Sequence, residues 1–197
     1  MPQKIRFLAI GITLLFFYVV VASFIQSSTK SQFQLGELKY FPPIPEKNQI
    51  PIIREQAEIG RYLFYDPILS KDSSISCSSC HKQSNAFADN KPRSKGIHKL
   101  LTRRNTMPLF NLMWYSSYFW DGRALSIEEQ VFEPLRNHSE MDLDWTDAEK
   151  RIAKSPFYKT MIQRQFGNVK IDSILISKLI AEFERTLISQ NSKIIII

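Results

Sequence analysis

Cys77-Ser78-Ser79-Cys80-His81 sets two thiols three residues apart, with an imidazole directly after the second. On one helical turn the two sulfurs can each form a thioether to a haem vinyl group. His81 can then direct a ring nitrogen at the iron. A disulfide, a thioredoxin-like redox pair and half of a zinc site are the competing chemistries. A redox pair would want a βαβ context, which is not visible, and zinc would want a second pair of ligands. The chain has no other cysteine. The motif therefore predicts one covalent haem c, carried by Cys77 and Cys80 and ligated on its proximal side by His81.

Such a motif needs a domain around it and a route out of the cytoplasm. The chain has 197 residues, enough for one domain, and is 44% hydrophobic and 12% aromatic, which suits a core with a haem pocket. Its net charge of +7 reads as a solvated basic surface. Docking to an acidic redox partner is the weaker alternative, and no nucleic-acid partner is expected. Residues 1–28 form a targeting segment: Lys4 and Arg6 precede an apolar run from Phe7 to Ile25. The run is long for a signal-peptide core and close to the ~20 residues of a membrane helix. An uncleaved anchor is favoured over a cleaved signal peptide. Either places the domain on the periplasmic side, anchored in the inner membrane or secreted, where haem attachment takes place in bacteria.

Residues 29–50 are polar and then proline-punctuated, and read as a linker. A first helix is expected from Pro51 to about Phe64, with Ile53, Ala57, Gly60 and Phe64 on one face. Residues 82–104 form a long polar loop over one haem face. Ser126-Ile127-Glu128-Glu129 is a capping box for a short helix carrying Gln130, and Thr146-Asp147-Ala148-Glu149 a second box. Ser155-Pro156 opens a helix that stops at Gly167, and a last helix spans about Asp172–Leu187. No segment alternates like a strand. The expected fold is all-α: a cytochrome c-like haem domain over 51–192, its first and last helices crossing through the Gly60 and Phe183 faces. It is preceded by the transmembrane or signal helix. The isoleucines 194–197 read as a truncated end (193–197).

The region from about Ile59 to Ser192 resembles the N-terminal haem domain of bacterial di-haem cytochrome c peroxidases. The matching segments are Gly60-Arg-Tyr-Leu-Phe-Tyr-Asp-Pro67, Ser74-Ile-Ser-Cys-Ser-Ser-Cys-His81, Arg104-Asn105, Phe119-Trp-Asp-Gly-Arg123, Glu129-Gln130, Glu140-Met141 and Phe183-Glu-Arg-Thr-Leu187. The family's chains continue into a second domain with its own C-x-x-C-H, which this sequence does not contain. The resemblance implies that the haem here is the peroxidatic one, and that hydrogen peroxide is the substrate. A small cytochrome or copper protein would supply the electrons. Trp120 falls on the tryptophan between the two haems, and Gln130 and Glu140 on the distal pair. Such a pair suits the chemistry, because a carboxylate can shuttle the peroxide proton while an amide orients the peroxide.

Asn105 falls on a ligand of a calcium ion held between the domains, so calcium is a second candidate cofactor. In well-known members a loop histidine ligates the distal face of the iron at rest. That position is Ile97 here, and its neighbour His98 is the candidate distal ligand. A solvent-facing His98 over a five-coordinate haem is the favoured alternative. His138 reads as a surface residue.

The leading expectation is a haem peroxidase domain, a truncated cytochrome c peroxidase. The alternatives are a monohaem electron-transfer cytochrome, or an inactive fragment of a di-haem oxidase of the methylamine-utilisation type. A carrier would place Met107, Met113 or Met141 on the iron.

Overall fold

The computed structural model describes residues 31–190 and 192. The expected leader (1–28) and truncated end (193–197) lie outside the described residues. Among the described residues no helix is long and apolar enough to cross a membrane.

These residues form six α-helices: α1 Arg54–Tyr65, α2 Cys77–Cys80, α3 Ile127–Arg136, α4 Trp145–Lys154, α5 Pro156–Phe166 and α6 Ser173–Arg185. Among them no strand forms, and isolated bridges such as Lys82 to Ala88 pin the loops. The expected predominantly helical architecture is what the described residues adopt.

α1 and α6 pack against each other as their apolar faces require. Ile59, Leu63 and Phe64 of α1 and Ile176, Leu179 and Ile180 of α6 are buried in one cluster. Each such side chain contributes about 1.5–3 kcal/mol by leaving water. Gly60 lets the backbones approach: a Cβ there would lie 1.8 Å from the Leu179 carbonyl oxygen. The Phe64 and Phe183 rings meet beside this contact, with centroids 5.1 Å apart.

Three local expectations shift. α1 begins at Arg54 rather than Pro51, because Ile52 and Ile53 are held extended by another segment. The Phe33 amide donates to the Ile52 carbonyl (2.8 Å), and the Arg54 amide to the Ser31 carbonyl (2.8 Å). The expected linker is correspondingly part of the packed structure. Phe33, Leu35 and Ile44 lie against Ile52, Ala57 and Met113, and the Trp114 indole donates to the Pro42 carbonyl (2.8 Å). The second capping box does not form. Thr146 lies inside α4, and Glu149 Oε1 instead accepts from the Ser173 amide (2.8 Å) at the start of α6. That start also has its own cap, the Asp172 carboxylate, which accepts from the Leu175 amide.

Elsewhere the local chemistry gives the element it specifies. Ser126 Oγ accepts from the Glu129 amide to start α3. Pro156 opens α5, and Gly167, at φ 75°, closes it.

Candidate functional site

α2 is a single turn, so its placement depends on what surrounds it. The Ser76 amide donates to Ser79 Oγ (3.0 Å), and the His81 amide closes onto the Cys77 carbonyl (2.9 Å). The preceding loop is tied down from α4. The Arg151 guanidinium donates to the carbonyls of Ile68 (3.1 Å), Ser70 (2.6 Å) and Lys71 (2.8 Å). Five donors in a fixed fork allow one side chain to satisfy three carbonyls.

His81 Nδ1 lies 2.9 Å from the Phe87 carbonyl and donates to it. Ala86 and Phe87 both take left-handed backbone (φ 56° and 55°) to deliver that carbonyl. With Nδ1 engaged, Nε2 is the nitrogen left for a metal, and a hydrogen bond at the other nitrogen is what fixes the orientation of a ligand imidazole. Burial pushes the His81 pKa down, against the Phe87 and Met107 carbonyls, which favour the protonated ring. The imidazole is therefore neutral, the form that ligates. Burial also pushes the Cys77 thiol up to about 12, and raises Cys80.

Two adjoining cavities flank this turn and share Cys80, His81, Thr102, Gln130, Pro134 and Glu140. The larger is about 420 Å³, in the range of small-molecule and cofactor sites, and is walled by Leu109, Leu112, Tyr115, Tyr118 and Phe119. The smaller runs inward past Cys77, Ile75, Leu69 and Ile180. Two thiols and a neutral imidazole at the junction of a largely apolar inner cavity and a roomier, mixed outer one fit a covalently attached haem.

Gln130, on α3, and Glu140, in the loop after it, line both cavities. Asn137 Nδ2 donates to Glu140 Oε1 (2.8 Å), and the Glu140 amide donates to the Asn137 carbonyl (2.8 Å). Burial raises the Glu140 pKa, the Asn137 bond and the Arg123 charge oppose that rise, and Glu133 adds to it. A partly desolvated carboxyl with one oxygen anchored is suited to exchanging a proton through the other.

Trp120 stands on the rim of the larger cavity, 58% exposed, with its indole N–H on the Asn105 carbonyl (2.9 Å). Asn105 Nδ2 donates to the Lys91 and Pro92 carbonyls (2.8 and 3.4 Å). Its side chain thus offers one oxygen, far short of the six to eight that calcium takes. His98 lines neither cavity. Its Nε2 lies 2.8 Å from Asp142 Oδ2, and its ring stacks on His138 at 4.5 Å, which puts it on the surface outside both cavities. Met113 packs in the separate cluster under the N-terminal segment, while Met107 and Met141 line the cavities.

Two groups in the site were not singled out from the sequence. Glu184, on α6, lines the inner cavity, and burial pushes its pKa up to about 8. Its Oε2 is buried without a hydrogen-bond partner. Arg123 stacks on the Phe119 ring, 3.5 Å from its centroid, and lines the outer cavity. Both residues fall in segments quoted for the resemblance, but nothing in a single Glu or Arg marks it as cavity-lining.

Comparison with known proteins agrees with this geometry. Residues 54–194 match the family model for di-haem cytochrome c peroxidase. The cytochrome c551 peroxidase of Nitrosomonas europaea is 37% identical over 152 residues, covering 77% of this chain and 46% of that protein. The methylamine utilization protein MauG of Methylorubrum extorquens is 33% identical over 147 residues, covering 74% of this chain and 42% of that one. Among solved structures, a MauG-like protein associated with microbial copper homeostasis superposes with a TM-score of 0.71 at 29% identity. That match covers 80% of this chain and 47% of the other. The chain spans under half the length of the curated relatives it matches.

Proposed function

This chain belongs to the di-haem cytochrome c peroxidase family, and from that premise we propose that it is a haem peroxidase module. It reduces hydrogen peroxide with electrons from a small cytochrome or copper protein, on the periplasmic side of the membrane. The observation that carries the reading is the shared cavity. A half-buried, one-side-anchored carboxyl, Glu140, faces the same space as Cys80 and His81.

Cys77 and Cys80 would hold the haem by thioethers, and His81, with Nδ1 on the Phe87 carbonyl, would ligate it through Nε2. When bound, the haem would supply redox-active iron chemistry. Conversion of one peroxide to two waters takes two electrons and two protons. Glu140 takes the proton from one peroxide oxygen and returns one to the departing oxygen. Asn137 fixes Oε1 so that Oε2 faces the substrate. Gln130 orients the peroxide by its amide. Trp120, exposed on the cavity rim, passes electrons inward from the donor side. The leader (1–28) serves as the membrane anchor.

The test is the haem-loaded full chain, wild type against Glu140→Gln, in single-turnover mixing of the reduced protein with hydrogen peroxide. Loss of the proton acceptor should slow the peroxide reaction about 100-fold or more. An unchanged rate would remove Glu140 from the chemistry. Acid-acetone extraction should leave the haem on the wild-type chain and release it from the Cys77→Ala, Cys80→Ala variant.

A further inference from the structure

The chain has three histidines, and one belongs to the haem motif. The other two, far apart in sequence, meet on a single carboxylate. His98 Nε2 lies 2.8 Å from Asp142 Oδ2, and His138 Nδ1 lies 3.3 Å from Asp142 Oδ1. One ligand atom from each of the three residues falls within 4.8 Å of the others, the one such group of His, Cys, Asp or Glu among the described residues. From this convergence we infer that His98, His138 and Asp142 form a surface site for a borderline divalent transition-metal ion such as Zn²⁺. The site is separate from the haem cavity, since neither cavity includes any of the three.

The donor set selects the metal. Two imidazoles and one carboxylate suit Zn²⁺, Co²⁺, Ni²⁺ or Cu²⁺, whereas Ca²⁺ and Mg²⁺ want oxygen throughout. Zinc takes nitrogen and oxygen ligands at about 2.0–2.2 Å, so tetrahedral ligand atoms stand about 3.4 Å apart. Small rotations of two exposed rings close the remaining gap, with water as fourth ligand. Among the described residues neither imidazole has a hydrogen-bond partner besides Asp142, so no other contact of the rings has to break on ligation.

The backbone assembles the site. The loops carrying His98 and His138 touch main chain to main chain: a Cβ on Gly96 would lie 2.1 Å from the Ser139 carbonyl oxygen. The Ile97 amide donates to the Glu140 carbonyl (3.0 Å). Asp142 takes left-handed backbone (φ 48°), a conformation Asp adopts more readily than most residues. A third segment joins through the Lys71 amide on the Met141 carbonyl (3.0 Å). An ion here would clamp the outer face of the loop whose inner face presents Glu140.

Lys71 is the competitor. Its ammonium sits 2.8 Å from Asp142 Oδ2, the oxygen that His98 also uses. Its side chain is 60% exposed, so the ammonium can move into water when a dication arrives. Asp72, near His98, and Asp144, near Lys71, add negative charge around the site.

The test is calorimetric titration of ZnCl₂ into the chelator-stripped, haem-loaded full chain, with Kd as the readout. One saturable site per chain is expected. His98→Ala and His138→Ala should each weaken it by at least ~10-fold, the loss seen when even outer-shell partners of a metal are removed. Lys71→Met should tighten it by ~2- to 5-fold, the effect of releasing a surface ion pair. The two histidines are exposed, and an unchanged haem spectrum and melting temperature certify the fold of each variant. Absence of a saturable one-to-one heat, or a Kd unmoved in the double histidine variant, overturns the site. Because zinc binding is read without peroxide, this result is independent of the peroxidase reading.

Discussion

Asn137 donates from Nδ2 to Glu140 Oε1 at 2.8 Å, and so anchors one oxygen of the carboxyl that shares a cavity with the haem motif. The bond holds the Glu140 pKa below where burial alone would put it. Asn137→Ala should therefore raise that pKa. A proton acceptor works only when ionised, so on the proposed function the rate of peroxide reduction should fall as pH drops through its pKa. The acid limb of the pH–rate profile should move to higher pH in Asn137→Ala and vanish in Glu140→Gln. A limb that stays in place would disconnect Asn137 from Glu140.

The crossing of α1 and α6 leaves no room for a methyl group at Gly60. Alanine would favour the isolated helix by about 1 kcal/mol. The clash with the Leu179 backbone should outweigh that gain, since overpacking costs about 1–3 kcal/mol and rigid main chain cannot swing aside. Gly60→Ala should melt several degrees lower, given ~2–4 °C per kcal/mol at this size. A higher melting temperature would mean that the helices separate freely.

Glu184 gives stability a pH dependence of known sign. Its pKa is pushed up to about 8 in the fold, chiefly by burial, with the Arg185 charge opposing and Glu128 adding to the rise. An unfolded glutamate has a pKa near ~4.3. Between these values the folded chain keeps a proton that the unfolded chain has lost. Stability should therefore fall as pH rises through this window, by at most ~1.4 kcal/mol per pH unit. Denaturant titrations of wild type and Glu184→Gln should diverge from about pH 5 to pH 8, the wild type losing ground. Parallel curves would place Glu184 in water.

What could be read from the sequence was whatever depends on short-range chemistry. The haem motif, the Pro156 start and Gly167 stop of α5, and the small residue at the Gly60 crossing each specify their own neighbourhood. What could not be read depends on which distant group arrives. Glu149 looks like a partner for Thr146 until the Ser173 amide, from another helix, takes it. The proline-rich segment looks like a tether until Trp114 and Met113 give it a surface to lie on. His98 and His138 look like isolated surface residues because nothing local brings them to Asp142. Glu184 reads as a solvated charge on a helix whose every neighbouring position turns out to be buried.

The raised thiol pKa values at Cys77 and Cys80 bear on the order of events in biogenesis. Thioether formation needs reactive sulfurs, and burial in the fold works against that reactivity, although both half-buried cysteines still line the cavities. Arg151 fastens the loop ahead of the motif only once α4 has been made and packed. The attachment sequence therefore emerges, accessible and at ordinary acidity, before the elements that enclose it. Attachment to an unfolded or newly exported chain should therefore run faster than attachment to a polypeptide folded without haem. Folding and attachment would then compete for the same two sulfurs.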